Sequence, residues 1–189
     1  MSGKVFVLDA CVLYPAFLRD LLMYLNIFDL YQPKWTDRIH DEWIRNVLLN
    51  RPDINKSQLE RTRELMNENA RDSLVRDYED LIEDLSLPDK DDRHVLAAAL
   101  KSRANGIVTF NLKDFPASTL DKYGIKIFHP DDFLMNLLMR DKVAFLKAAR
   151  KQREGLRLPP KTVDEYLSVM RKQGLPKTVS VLEENKDFI

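Results

Sequence analysis

Three short runs, Val5-Phe-Val-Leu8, Ile107-Val-Thr-Phe110 and Lys126-Ile-Phe128, are rich in β-branched and aromatic residues and lack the apolar-polar alternation of a one-sided strand. A strand that is apolar on both faces has to be covered on both faces, which is the pattern of a parallel sheet between helices. Stretches with helical spacing lie between the runs. Strands that alternate with helices form βαβ units, so the sequence predicts an α/β fold with a mostly parallel sheet flanked by helices.

Along the chain, a helix is predicted over 15–30 and a short strand over 31–35. Thr36 with Asp37 behind it is a credible start for a helix over 37–50. A polar helix over 57–72 follows the Arg51-Pro52 break, and residues 77–87 fit helix or strand equally well. A strong helix is expected over 89–103, ended by Asn105-Gly106. Beyond about residue 140 the pattern is helical only. It comprises a basic helix over 141–154, a break at Pro159-Pro160, and a capping box Thr162-Val-Asp-Glu165 that opens a helix with Val163, Tyr166, Leu167 and Met170 on one stripe. On this reading 1–138 form the main domain and 139–189 a helical C-terminal extension.

The 189 residues suffice for one domain of about 130 to 150 residues and an appendage. Lys+Arg and Asp+Glu number 30 each, so the overall balance offers no blanket reason to expect a polyanionic partner. The distribution is uneven: 1–140 carry 19 basic and 23 acidic residues, 141–189 carry 11 and 7. The stretch 142–161 has seven Lys/Arg against one acid, the composition of a solvated helix face or of a surface for RNA or a partner. The lone Cys11 rules out an internal disulfide and suits a reducing compartment. No apolar run reaches membrane-spanning length, and Asp9 interrupts the apolar segment after Lys4. The expectation is a soluble, cytoplasmic protein with no membrane association.

In an open parallel sheet, ligands collect beyond the carboxyl ends of the strands. Asp9 ends the first strand, and Asn111 and Asp114 follow the 107–110 strand. Ile39, Glu42, Trp43, Asn46 and Val47 follow helical i, i+3, i+4, i+7, i+8 spacing, which puts Glu42 in an inward-facing apolar stripe. Asp92, Val95, Leu96 and Ala99 do the same, placing Asp92 on a buried face in the first turn of its helix, where the helix dipole favours an anion. Each acid has an ordinary reading alone: Asp9 as a strand terminator, Glu42 reaching to solvent, Asp92 as a helix-start acid, Asn111 and Asp114 as turn residues. Together, buried carboxylates repel one another and need compensation. A hard divalent cation such as Mg²⁺ or Mn²⁺ supplies it, or else Lys and Arg do, with Arg93 and Lys113 nearby in sequence. His40, His94 and His129 lack zinc-ligand spacing, and Cys11 reads as an inert buried thiol.

Val-Leu-Asp9-Ala-Cys-Val-Leu-Tyr-Pro15, Asp-Glu42-Trp-Ile, Asp-Asp92-Arg-His-Val-Leu-Ala-Ala-Ala-Leu100 and Ile-Val-Thr-Phe-Asn111-Leu-Lys-Asp114-Phe resemble, in order, the four acidic motifs of PIN domains, including the VapC-like toxins of bacterial toxin–antitoxin pairs. The resemblance covers about 4–135. It implies a metal-dependent endoribonuclease in which Asp9, Glu42, Asp92 and Asp114 are the catalytic, metal-binding acids, with Asn111 as a further metal-site contributor and Mg²⁺ or Mn²⁺ as cofactor. It also implies an RNA substrate, an antitoxin partner and a homodimer. Asp89 and Asp91 compete with Asp92 for the third position, and Asn111 with Asp114 for the fourth. The Ser or Thr that often follows the first Asp of the family is Ala10 here, which lends support to a second reading, a catalytically inactive PIN-like module that binds RNA or protein. A haloacid-dehalogenase-type phosphatase is disfavoured, because its second Asp would fall on Cys11.

Overall fold

The computed structural model describes residues 4–157 and 159–189. Four strands, β1 (Val5–Leu8), β2 (Gln32–Lys34), β3 (Gly106–Val108) and β4 (Lys126–Phe128), form one sheet in the order β2-β1-β3-β4. All three pairings are parallel, with Phe6 opposite both Pro33 and Gly106. Pro33 cannot donate to a ladder, and it falls on the edge strand, where that loss is tolerated.

The helices are α1 (Ala10–Leu13), α2 (Ala16–Ile27), α3 (Asp37–Asn50), α4 (Lys56–Asn69), α5 (Arg93–Lys101), α6 (Ala117–Leu120), α7 (Pro130–Arg140), α8 (Lys142–Gly155), α9 (Val163–Lys172) and α10 (Pro176–Glu183). Thr36 caps α3 by accepting from the Ile39 N–H at 3.1 Å, and the capping box of Thr162 and Glu165 opens α9. Residues 77–87 hold only a 3₁₀ turn, Glu79–Leu81. No helix of the described residues is long and apolar enough to cross a membrane.

The helices expected over 15–30 and 57–72 run over Ala16–Ile27 and Lys56–Asn69, the strand expected over 107–110 runs over Gly106–Val108, and two further boundaries differ for a visible reason. The helix expected over 89–103 begins only at Arg93, because Asp89 accepts from the Asp91 N–H at 2.8 Å and holds 89–91 in a local turn that competes with helix. Asp92 is therefore the N-cap, one residue outside the helix. At the other end Arg103, not Gly106, takes the left-handed conformation, with φ 51, and the Ala104 N–H bonds back to the Ala99 carbonyl. Gly106 serves the sheet instead: a Cβ there would lie 2.6 Å from the Lys126 carbonyl oxygen and 2.9 Å from the Phe128 ring.

The C-terminal helices share the core of the sheet region. Phe145, Ala148 and Ala149 of α8, Tyr166, Leu167 and Met170 of α9, and Val179 and Leu182 of α10 belong to the same buried apolar cluster as Phe6, Val7 and Leu8. Gln152, fully buried, joins three elements: its amide donates to the Phe17 carbonyl at 2.8 Å and accepts from the Tyr166 hydroxyl at 2.7 Å.

Candidate active site

Asp9 follows β1 directly and is 4% exposed. Its backbone is extended, and its N–H continues the ladder to the Val108 carbonyl at 3.1 Å. The side chain is gripped on one oxygen: Oδ2 accepts from the Thr109 hydroxyl at 2.6 Å and from the Cys11 thiol at 3.0 Å. Burial and the adjacent Asp9 charge push the Cys11 thiol up to about 12, so it stays protonated and remains a donor. Thr109 Oγ1 also accepts from the Asn111 N–H at 3.0 Å, which ties the turn after β3 to the same carboxylate.

Glu42 projects from α3 with its side chain 20% exposed. Its Oε1 accepts from Arg38 Nε at 3.2 Å and lies 3.1 Å from His94 Nε2. Burial acts to raise the Glu42 carboxyl, but the contacts with His94 and then Arg38 outweigh it and hold the group below its ordinary range. His94 is 1% exposed, and its Nδ1 is buried without a hydrogen-bond partner.

Asp92 is half-buried, and its carboxylate accepts no side-chain or backbone hydrogen bond among the described residues. Burial first, then the charges of Asp9, Asp89, Asp114 and Glu42, push it up to about 7. Asp9, Arg38, Glu42, Asp91, Asp92 and Asn111 line one pocket of about 550 Å³, together with Ala10, Cys11, Asp41, Arg45 and Asn46. The structure thus brings Asp9, Glu42, Asp92 and Asn111 to one hollow. Asp114, at the end of the 3₁₀ turn Leu112–Asp114, does not line it, although its charge reaches Asp92. Of the competitors for the third position, Asp91 turns outward with its side chain 92% exposed, and Asp89 is spent on its own turn.

Among the described residues, no three His, Cys, Asp or Glu side chains are gathered into a set that could hold a metal ion as it stands. The donor chemistry nevertheless fits a hard divalent cation. The pocket offers carboxylate and amide oxygens, Asp9 Oδ1 and Glu42 Oε2 take no part in the hydrogen bonds above, and Asp92 lies within reach of the charges of four other acids. Arg93, a sequence candidate for counter-charge, donates instead to the carbonyls of Lys90 at 3.1 Å and Leu85 at 3.5 Å.

Sequence reasoning missed Thr109, Arg38 and the roles of His94 and Cys11. Thr109 carried a signal, being a hydroxyl inside an otherwise apolar strand run. Arg38 carried one as well, standing four residues before Glu42 on the same helix, and Cys11 lies two residues from Asp9; only His94 meets its partner by packing between distant segments.

The family model described as PIN domain matches residues 5–113, and one described as VapC50 C-terminal domain matches residues 130–184. A Mycobacterium tuberculosis protein named "Putative ribonuclease VapC50" is 56% identical over 61 residues, which is 32% of this chain and 36% of that relative's length. No solved structure matches the chain at a significant level.

Proposed function

Since the chain belongs to the PIN-domain family, we propose that it is an endoribonuclease dependent on a divalent cation, and the toxin of a type II toxin–antitoxin pair. The observation that carries this reading is the convergence of Asp9, Glu42 and Asp92, from three separate segments, on one pocket beyond the carboxyl ends of β1 and β3. Asp9, Glu42 and Asp92 would hold Mg²⁺ or Mn²⁺, with Asn111 as a neutral oxygen donor and Asp114, whose charge reaches Asp92 from outside the pocket lining, completing the acid set. A divalent cation held by these residues would supply Lewis-acid activation of water and neutralisation of phosphate charge. Thr109 and Cys11 orient Asp9 by occupying its Oδ2, and His94 and Arg38 orient Glu42 by occupying its Oε1. Asp114 or Glu42 would position the attacking water and take its proton as the water oxygen bonds to phosphorus and the phosphorus–oxygen bond to the leaving nucleotide breaks.

The test is cleavage of RNA by purified protein with Mn²⁺. Asp9→Asn is expected to lower the rate by about 10³-fold or more, the scale of several kcal/mol of lost metal assistance, with an unchanged melting curve. Equal activity in that variant refutes the assignment. Two observations favour a non-catalytic binding module: Arg38 and His94 already occupy Glu42, and Ala10 stands where a hydroxyl residue is common in the family. Titration calorimetry with Mn²⁺ separates the two readings, because a binding-only module takes up no cation in this pocket.

A homodimer and an antitoxin that inhibits it are proposals that rest on the family alone. A cytoplasmic protein, a nuclease domain over 1–138 and a helical extension over 139–189 are proposals that rest on the sequence pattern. Co-purification with the product of the adjacent gene tests the antitoxin, and light scattering the dimer.

A further inference from the structure

Arg45 and Asp41 line the acid pocket and also a second hollow of about 450 Å³ between α3 and α4, whose walls include Leu48, Leu49, Lys56 and Glu60. On α3 the residues Arg38, Glu42, Arg45, Asn46 and Leu49 recur at helical spacing. One face of this helix therefore runs from the acids to the second hollow.

Charges along this face are sorted. The acids of the second hollow are already paired with Arg63, Asp41 at 2.9 Å and Glu60 at 3.6 Å. Arg38 is held among the pocket acids by Glu42 at 3.2 Å and by the Asp91 carbonyl at 3.2 Å. Arg45 and Lys56 form no ion pair and no side-chain hydrogen bond among the described residues, and neither does the Asn46 amide. Leu49 beside them is 74% exposed and Leu48 half-buried. Uncommitted cations at the rim of a hollow with an apolar wall, opening from a pocket that would cut RNA, match the chemistry of a nucleotide strand. The cations meet phosphates and the apolar wall meets the face of a base.

We propose that Arg45, Asn46 and Lys56 form a phosphate track that leads single-stranded RNA out of the acid pocket, with the base of a flanking nucleotide lying on Leu48 and Leu49. The track rests on the ribonuclease reading above. It contacts the backbone and so positions the strand without specifying its sequence.

The experiment measures binding without cleavage, in the Asp9→Asn background, by anisotropy of a short fluorescein-labelled single-stranded RNA across a salt series. Arg45→Gln and Lys56→Gln should each lower the slope of log affinity against log salt by about 0.7, and the pair by about 1.4, the loss of one and two single-strand phosphate contacts. Affinity of the double variant should fall by about tenfold at physiological salt. Arg45→Lys, which keeps the charge, should restore most of the slope, and Leu49→Ser should weaken binding with the slope unchanged. Lys147→Gln, on the basic helix α8, should leave both quantities as they were. An unaltered slope in the Arg45/Lys56 double variant overturns the track, as does an equal fall in Lys147→Gln. Absence of any RNA binding overturns it too, and cleavage of the same RNA by the wild-type chain with Mn²⁺ then decides separately whether the ribonuclease reading stands.

Discussion

Asp131 and Asp92 both stand at the start of a helix, and the protein treats them in opposite ways. Asp131, in the first turn of α7, is 3% exposed and fully engaged. Its carboxylate accepts from the Lys177 N–H at 2.8 Å, the Thr178 N–H at 2.9 Å and the Thr178 hydroxyl at 2.7 Å. It caps α10 from outside, since Leu175 at the N-cap of α10 has no side-chain acceptor to offer. Asp92 is less buried, yet it accepts no hydrogen bond and faces four other carboxylates. A buried acid whose oxygens are all used is part of the architecture. One left with like charges at a pocket wall is a candidate for binding a ligand.

The sharpest break in that comparison comes from Asp131→Ala. Removing the cap leaves the first amides of α10 without partners inside the protein, a loss of about 3 kcal/mol visible as a lower urea midpoint. Cleavage per folded molecule should not change; a variant as stable as the wild type would show that α10 does not depend on this carboxylate.

Asp92 should respond to pH instead. Its folded-state pKa is raised from 3.8 to about 7, so its contribution to stability is fully present below about 4 and is lost as pH rises through about 7. Since the group is half-exposed, screening reduces the effect to about 1–2 kcal/mol. Urea midpoints of metal-free protein at pH 5 and 8 should therefore show Asp92→Asn gaining on the wild type at the higher pH. A parallel pH response in both proteins would show that burial and the neighbouring charges do not raise Asp92.

The smallest effect belongs to Thr109→Val, which keeps the shape of the strand residue and deletes the 2.6 Å bond to Asp9. A loss of about 1 kcal/mol of orientation, near fivefold in cleavage rate, is expected. An unchanged rate would mean that Cys11 alone suffices to hold Asp9.

Much of this molecule is legible from residue order. The buried strands declared themselves by unbroken apolar runs, α3 by Thr36, and α9 by its Thr162 and Glu165 box, because propensity, capping and periodicity act over a few residues. Asp9 and Glu42 were legible for the same reason, one at a strand end and one within a helical stripe. Asp92 was expected in the first turn of a helix over 89–103 and stands instead at the N-cap of α5, since the local turn made by Asp89 competes at the same range. Asn111 and Asp114 competed for one position in the sequence, and the fold puts Asn111 on the pocket wall with Asp114 at the end of the following 3₁₀ turn.

Local order along the chain thus determined the elements, their caps and the identity of the acids that meet. Tertiary structure alone decided which oxygen of each acid remains free and which cations are spoken for. Those choices are made between Asp9 and Thr109, 100 residues apart, and between Glu42 and His94 on different helices. Hydrogen bonds and charge pairing act over a few ångströms of space, and only the packed sheet and helices bring such distant residues within that reach.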